Sequence, residues 1–184
     1  GGLVGYSFLL AFNKSSATGS VTAVGGSSGA YAANAYAGGL IGYNYYVQNG
    51  LTDVYATGSV TATGGTSGVY GGNAYAGGRS GTDTDVTEIN NAYSAGHVTA
   101  IAGSGSIGYG TAYAGGLIAT GGSGVYNSFW DTTTSGQGTS SGGTGTGFPD
   151  SSSATKVRNA VVVCLRTPAT ASSENTSTPT SNDV

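Results

Sequence analysis

Two short motifs recur along this chain in a fixed order, and their spacing limits what the chain can fold into. The first motif, Ala-Thr-Gly-Ser-Val-Thr-Ala at residues 17–23, returns at residues 56–62 and, in altered form, at residues 94–100. The second, Ala-Tyr-Ala-Gly-Gly-Leu-Ile at residues 35–41, returns at residues 74–80 and 112–118. The repeat length is 39 residues and then 38, so the fold must be built from successive equivalent units.

The distances within each unit show which connection is fixed. The valine of the first motif precedes the double glycine of the second by 17 residues in all three units, as in Val21 and Gly38. From the double glycine to the next valine the distance varies between 20 and 22 residues. Length variation of this kind is typical of a surface loop.

Each motif has the alternation of a β-strand. In residues 17–23, alanine, glycine and valine alternate with threonine and serine, which is the period of two of a strand with one buried face. Such small inward side chains bury too little area for one unit to fold alone, whereas stacked units would share one narrow core.

The sequence therefore predicts an all-β fold, a β-solenoid that we expect to be a right-handed parallel β-helix of 38–39-residue units. Stacking would align Val21, Val60 and Val98 in one column and the rings of the tyrosines in another, at positions 36, 75 and 113. We favour two coils of about 19 residues per unit, the low end of solenoid repeat lengths. A closed antiparallel barrel is the alternative, but residues 49–50 are the only hairpin-type Asn-Gly pair.

The chain divides by composition into three parts. Residues 1–130 carry the repeats and begin inside one, so we expect a fragment of a longer protein. Residues 131–155 are rich in Gly, Ser and Thr, which predicts a linker. Residues 156–184 lack the repeat vocabulary and are expected to form a low-order or capping tail, in which residues 160–165 could be a strand or an aggregation-prone segment.

The repeated segments resemble a known family. Residues 38–44 (Gly-Gly-Leu-Ile-Gly-Tyr-Asn) followed by residues 55–61 (Tyr-Ala-Thr-Gly-Ser-Val-Thr) are similar to the GLUG-motif repeat of filamentous-haemagglutinin-like and other adhesin-type bacterial exoproteins. Residues 127–132 resemble a segment that often follows such arrays, and the second copy departs from the motif with Arg79-Ser80 in place of Leu-Ile. The resemblance implies a non-catalytic stalk or adhesive segment outside the cell, either secreted or on the cell surface.

The composition limits the classes of partner that this chain can bind. Charged residues make up 7% of the chain and the net charge is −3, so the chain lacks the basic patch that would attract nucleic acid or an anionic membrane. No apolar run approaches the ~18 residues of a membrane span. We expect cell-surface glycans or proteins as partners, together with self-association, and neither nucleic acid nor membrane insertion.

Candidate catalytic residues are few, and we predict no catalytic, cofactor or metal site. His97 is the single histidine and has the parity of an outward strand position, while Cys164 lacks a neighbouring acid or base. Paired carboxylates on a β-helix can cleave polysaccharides, and adjacent coils could bring Asp53 and Asp83 together. An accessory region of a polysaccharide- or protein-degrading enzyme therefore remains an alternative function.

One acidic cluster could bind calcium. Asp83, Asp85 and Glu88 lie in the variable connection of the second unit, and carboxylate oxygens are the usual Ca²⁺ ligands. Their spacing fits neither the EF-hand loop nor the nine-residue calcium repeat, so calcium dependence stays open.

Two surface features carry the remaining hypotheses. Thr22, Thr61 and Thr99 would form one column on a flat face, as in an ice-binding solenoid, but threonine also simply favours strands. A group of tyrosines, expected on loops, could form a contact surface for glycans or proteins or could clamp the coils by stacking; its members are Tyr6, Tyr43, Tyr45 and Tyr46.

Overall fold

The computed structural model describes residues 1–47, 50–86 and 88–146. It shows a parallel β-solenoid of about three coils, so the predicted fold class is confirmed. The linker residues 147–155, the tail at 156–184 and Cys164 lie outside the described residues. The right-handed winding stays a prediction.

The strands form four sheets, and each full coil contributes to all four. Sheet A contains β1 (Val4–Phe8), β6 (Ile41–Val47), β10 (Ser80–Val86) and β14 (Ile118–Gly121). Sheet B contains β2 (Phe12–Asn13), β3 (Ser16–Ala17), β7 (Leu51–Ala56), β11 (Ile89–Ser94), β15 (Val125–Tyr126), β16 (Phe129–Asp131) and β17 (Thr144–Thr146). Sheet C contains β4 (Val21–Val24), β8 (Val60–Thr63) and β12 (Val98–Ile101). Sheet D contains β5 (Ala35–Gly38), β9 (Ala74–Gly77) and β13 (Ala112–Gly115), and a single helical turn, α1 (Thr132–Ser135), follows β16.

The strand register shows that one repeat makes one coil. Val21 pairs directly with Val60, and Val60 with Val98, in parallel ladders. Two coils per repeat would place these valines two strands apart, so our expectation of two 19-residue coils is wrong. The whole 38–39-residue unit is needed because each coil has four sides.

Two hydrophobic clusters fill the interior. The larger comes from sheets A and B and contains Leu40, Ile41, Leu51 and Ile89, all without solvent exposure. The smaller comes from sheets C and D and consists of alanines and valines. Small side chains suit the second cluster because sheets C and D lie close together, with β5 in contact with β8.

A close contact explains why a glycine of one motif and a small residue of the other recur together. A Cβ on Gly39, the second glycine of its motif, would lie 2.6 Å from the Ala56 Cβ, the residue that opens the other motif. The same contact joins Gly2 with Ala17, and Gly78 with the Ser94 side chain. A larger residue at either position would push the coil walls apart, so glycine and a small partner recur together.

The last coil replaces the small partner with a large one. Trp130 pairs with Ser94 in the ladder, and its indole lies against Gly116. The ring is 5% exposed, and its Nε1 donates a hydrogen bond to the Gln137 carbonyl oxygen at 2.9 Å. Trp130 therefore closes the C-terminal end of the larger core.

The structure differs from the expected linker over residues 131–146, because this segment folds back on the last coil. Asp131 caps helix α1 by accepting a hydrogen bond from the Thr133 N–H at 2.8 Å, and β17 adds a strand beside β16. Gln137 Nε2 donates to the Val98 carbonyl oxygen at 3.0 Å, so this side chain reaches β12 at the open end of sheet C. Unpaired strand edges need partners, and backbone pairing does not depend on apolar composition.

Within the described residues, we find no helix of the length and apolarity needed to cross a membrane.

The Gly39 contact leads to a stability prediction. Gly39→Ala should lower the free energy of unfolding by about 1–3 kcal/mol, since the added methyl collides with Ala56 and with the backbone of the next coil. Gly5→Ala is the matched control, because a Cβ there meets nothing within 4 Å. Urea denaturation of the two variants measures the difference, and equal stabilities would show that the contact does not constrain the coil.

Candidate attachment surface

A ladder of tyrosine rings lies on the outside of sheet D. Tyr36, Tyr75 and Tyr113 stack in three successive coils, with ring centroids 4.7 and 4.8 Å apart and planes 5° from parallel. This spacing equals the separation of hydrogen-bonded strands, so the backbone ladder itself sets the ring stack. The predicted tyrosine column is confirmed.

Asparagine side chains hold this ladder in place. Asn34 Nδ2 donates to the Tyr36 hydroxyl and Asn73 Nδ2 to the Tyr75 hydroxyl, both at 3.2 Å. Each amide oxygen also accepts a backbone N–H from the next coil, from Asn73 at 2.8 Å and from Thr111 at 2.7 Å. The two motifs did not indicate these asparagines, although the 39-residue spacing of Asn34 and Asn73 is a usable signal.

A second aromatic group continues the surface onto sheet A. Tyr6 stacks on Tyr43 with centroids 5.6 Å apart, and Phe8 stacks on Tyr45 at 5.9 Å. Tyr36 meets Tyr43 edge to face at 5.0 Å, so the two groups form one continuous surface. We name these aromatic residues of sheets A and D, together with Tyr46, the aromatic face.

The structure corrects the expected position of these tyrosines. Tyr6, Tyr43, Tyr45 and Tyr46 lie in strands β1 and β6 rather than on loops. Tyr46 has a left-handed backbone conformation with φ of 56°, as does Asp85 in the next coil with φ of 52°. Both lie near the end of a sheet A strand, where each coil turns toward sheet B.

The aromatic face changes character along the solenoid axis. In β10 and β14, threonines replace the rings: Thr82 pairs with Tyr43 in the ladder and shares a 3.0 Å hydrogen bond with Thr120. Thr84 shares a 3.3 Å hydrogen bond with the Tyr43 hydroxyl. On sheet A the surface is therefore aromatic in the first coils and hydroxylated in the later ones, whereas the tyrosine ladder of sheet D continues through all three coils.

Stacking decides what the aromatic face can bind. A ring inside a ladder has both faces covered by neighbouring rings and offers only its edge and hydroxyl to a ligand. Rings at the ends of a stack keep one face open, and Tyr6 and Phe8 are 61% and 51% exposed. The face therefore combines a structural ladder with a few rings available for contact, so both interpretations of the tyrosines have a physical basis.

An ion pair lies buried beside the larger core. Arg79 occupies the position of Leu40 and Leu117, and Ser80 pairs with Ile41 and Ile118, so the register is unchanged where the motif departs from Leu-Ile. The guanidinium pairs with the Asp83 carboxylate, and neither side chain is exposed. Ser80 Oγ donates a second hydrogen bond to Asp83 at 2.7 Å.

The candidate calcium residues do not come together. Asp83 points into the interior and pairs with Arg79, whereas Asp85 and Glu88 are exposed. Across residues 1–47, 50–86 and 88–146, no three side chains of the metal-ligating types His, Cys, Asp and Glu are grouped.

The other candidate catalytic residues are also separated. Asp53 lies in sheet B with φ of 54°, and its Oδ1 accepts a 3.0 Å hydrogen bond from Asn91 Nδ2 in the next coil. Asp83 belongs to sheet A and is committed to its ion pair, so the proposed carboxylate pair does not form. His97 is exposed, as its parity predicted.

One ionisable group that the sequence did not indicate lies near the C-terminal end. Burial and the Asp131 carboxylate raise the pKa of Tyr93 to about 12, so the phenol stays protonated at physiological pH.

The threonine column on sheet C is in register. Thr22 pairs with Thr61, and Thr61 with Thr99, on the outer face. The neighbouring outer column is mixed, because Val24 pairs with Thr63 and Thr63 with Ile101.

We compared the chain with protein-family models, with curated proteins and with solved structures, and none of the three comparisons gave a match.

The tyrosine ladder leads to a second stability prediction. Among the described residues, Tyr75 has a ring neighbour on both sides and a hydrogen bond from Asn73, whereas Tyr113 has a ring neighbour on one side, so Tyr75→Ala should cost about 1 kcal/mol more than Tyr113→Ala. Urea unfolding monitored by circular dichroism compares the two variants. Equal losses would mean that ring stacking contributes nothing beyond burial.

The buried ion pair leads to a third prediction. Arg79→Leu or Asp83→Asn alone leaves a buried charge without its partner and should cost about 3–5 kcal/mol. The double variant restores the Leu40 and Asn44 pattern of the preceding coil and should be close to the unsubstituted chain, because Arg79 Nε and Nη1 find no hydrogen-bond partner among the described residues. A double-mutant cycle in urea checks this, and additive losses would contradict it.

Proposed function

We propose that this chain is a non-catalytic structural and adhesive repeat segment of a large secreted or surface-displayed bacterial protein. It acts as a rigid stalk that carries a multivalent attachment surface. The observation that supports this most directly is the parallel in-register stacking of whole repeats.

Stacking of this kind makes a rod. Every added repeat extends the same four sheets by one strand, so length grows by about 4.8 Å per repeat while the cross-section stays constant. Surface residues then recur at that same spacing, as the tyrosines of sheet D do. A rod with repeated weak sites gains avidity that a single contact lacks.

The aromatic face is the proposed contact region. Its exposed rings offer apolar edges and faces, and its tyrosine and threonine hydroxyls offer hydrogen bonds, a combination that suits the sugar rings of a cell-surface glycan. The resemblance to GLUG repeats of adhesin-type exoproteins agrees with this role and with a location outside the cell.

Binding to glycans and to intact cell surfaces tests the proposal. The full chain displayed on beads should bind at least about 100-fold more tightly than the same chain free in solution, because display adds avidity. Joint Tyr6→Ser and Tyr46→Ser substitution should weaken bead binding with little effect on folding.

The control is Tyr126→Ser, which alters a tyrosine that is exposed in sheet B, away from the aromatic face. The adhesive role would be contradicted if the beads bind no glycan or cell surface. It would also be contradicted if the joint Tyr6→Ser and Tyr46→Ser variant binds as tightly as the Tyr126→Ser control. Turnover of a bound glycan would contradict the non-catalytic role.

Ice binding is a second candidate, favoured by the in-register column of Thr22, Thr61 and Thr99. A flat rank of hydroxyl and methyl groups can order water. Thermal hysteresis or ice shaping by the purified chain would support this candidate. The absence of both effects would contradict ice binding and leave the stalk proposal unchanged.

A further inference from the structure

Three loops project from the solenoid and stack into a ridge. They follow β4, β8 and β12 and comprise residues 27–32, 66–71 and 104–109, which we call the loop ridge. A backbone hydrogen bond of 2.9 Å closes each loop at its neck, for example from the Ala33 N–H to the Gly26 carbonyl oxygen. Because the loops occur at the repeat spacing, the ridge runs along the solenoid axis.

Contacts between the loops make the ridge rigid. Tyr31 and Tyr70 stack with ring centroids 5.3 Å apart. Ser67 Oγ lies 2.7 Å from the Tyr70 carbonyl oxygen in its own loop and 3.1 Å from the Ala30 carbonyl oxygen in the preceding loop, so its single proton can be shared between the two. The Ile107 N–H donates to the Val69 carbonyl oxygen at 3.0 Å, which ties the third loop to the second.

The most exposed large apolar side chains of the described chain are concentrated here. Tyr109 is 81% exposed, Ile107 71% and Tyr31 70%, and Val24, at the end of β4 beside the first loop, is 70% exposed. In the third loop Gly108 occupies the ladder position that Tyr31 and Tyr70 occupy in the first two loops. Tyr109, the next residue, is therefore displaced from the ring stack. A contiguous exposed apolar surface of this kind indicates a protein contact.

The composition of the ridge indicates what kind of contact it makes. All eighteen loop residues are uncharged, and they are mainly Ser, Gly, Ala and Tyr. Tyr, Ser and Gly also dominate the loops of antibody combining sites, where rigid tyrosines give a large contact area at a low entropy cost.

We propose that the loop ridge binds the loop ridge of a second copy of this chain. An uncharged surface is electrostatically compatible with itself, and the chain's net charge of −3 gives little long-range repulsion. A two-fold axis near Tyr70 would place Tyr31 of one copy opposite Tyr109 of the other, so that the same patch is used twice. Because the loops are already ordered, little entropy is lost on pairing. The inference goes beyond the proposed function, since it needs the rod but no attachment ligand.

Sedimentation equilibrium of the full chain tests the proposal. Measurements over a range of concentrations, with a reductant present because of Cys164, should show a monomer–dimer equilibrium. Since the contact is uncharged, the dissociation constant should change less than about threefold between low salt and about 0.5 M salt. A chain that stays monomeric at every concentration would overturn the proposal.

Substitutions locate the contact. Joint Tyr31→Ser, Ile107→Ser and Tyr109→Ser should raise the dissociation constant at least about tenfold, because exposed aromatic anchors carry most interface energy. Tyr126→Ser, which removes an exposed tyrosine outside the ridge, should leave it unchanged.

A charge substitution provides an independent check. Val69→Lys places a charge near the proposed two-fold axis, and it should weaken pairing at low salt and much less at high salt. Val69→Gln is the uncharged control for the loss of valine, and thermal melting confirms folding of each variant. A dimer that survives both the triple substitution and Val69→Lys would overturn the proposal, because the contact would then lie elsewhere, such as at the strand edges of the first coil.

Discussion

The packing of a glycine against a small residue within each coil sets the geometry on which the rest of the structure depends. Gly39 against Ala56, repeated as Gly78 against Ser94, brings the corner between sheets D and A next to the end of β7 or β11. The chain can then run through four short strands and return to its starting edge one strand higher. The valine, tyrosine and asparagine columns follow from that return, because equivalent residues arrive at hydrogen-bonding distance in every coil.

The fold class and the main columns could be predicted because both motifs keep a constant separation and strand parity. Val21, Val60 and Val98 pair as expected, and the tyrosines at 36, 75 and 113 stack. The number of coils per repeat could not be predicted from the period, since one four-sided coil and two narrow coils have the same length. What distinguishes them is the number of strands per repeat, and the strands of sheets A and B lack a regular apolar alternation.

Other features depend on tertiary contacts that the local sequence hides. Residues 131–146 have the composition of a linker, yet they supply backbone groups and the Gln137 side chain to the end of the solenoid. Asp83 is part of an acidic cluster in the sequence, but its partner Arg79 replaces a core leucine and draws the carboxylate inward. The stacking of the loop ridge could not be predicted from the sequence, because Ser- and Gly-rich segments are typical of turns whether or not neighbouring loops stack. Tyr6, Tyr43, Tyr45 and Tyr46 were predicted as a group but were expected on loops rather than strands, and the sequence did not indicate Phe8.

The stacked solenoid requires that one repeat forms one coil, and small-angle X-ray scattering of lengthened chains tests this most directly. Once enough copies of residues 22–60 have been inserted in register to make the solenoid axis longer than a coil is wide, each further copy should increase the maximum dimension by about 4.8 Å at constant cross-sectional radius. An increase of about twice that value per copy would mean two coils per repeat. An increase in cross-section without added length would contradict the stacked solenoid itself.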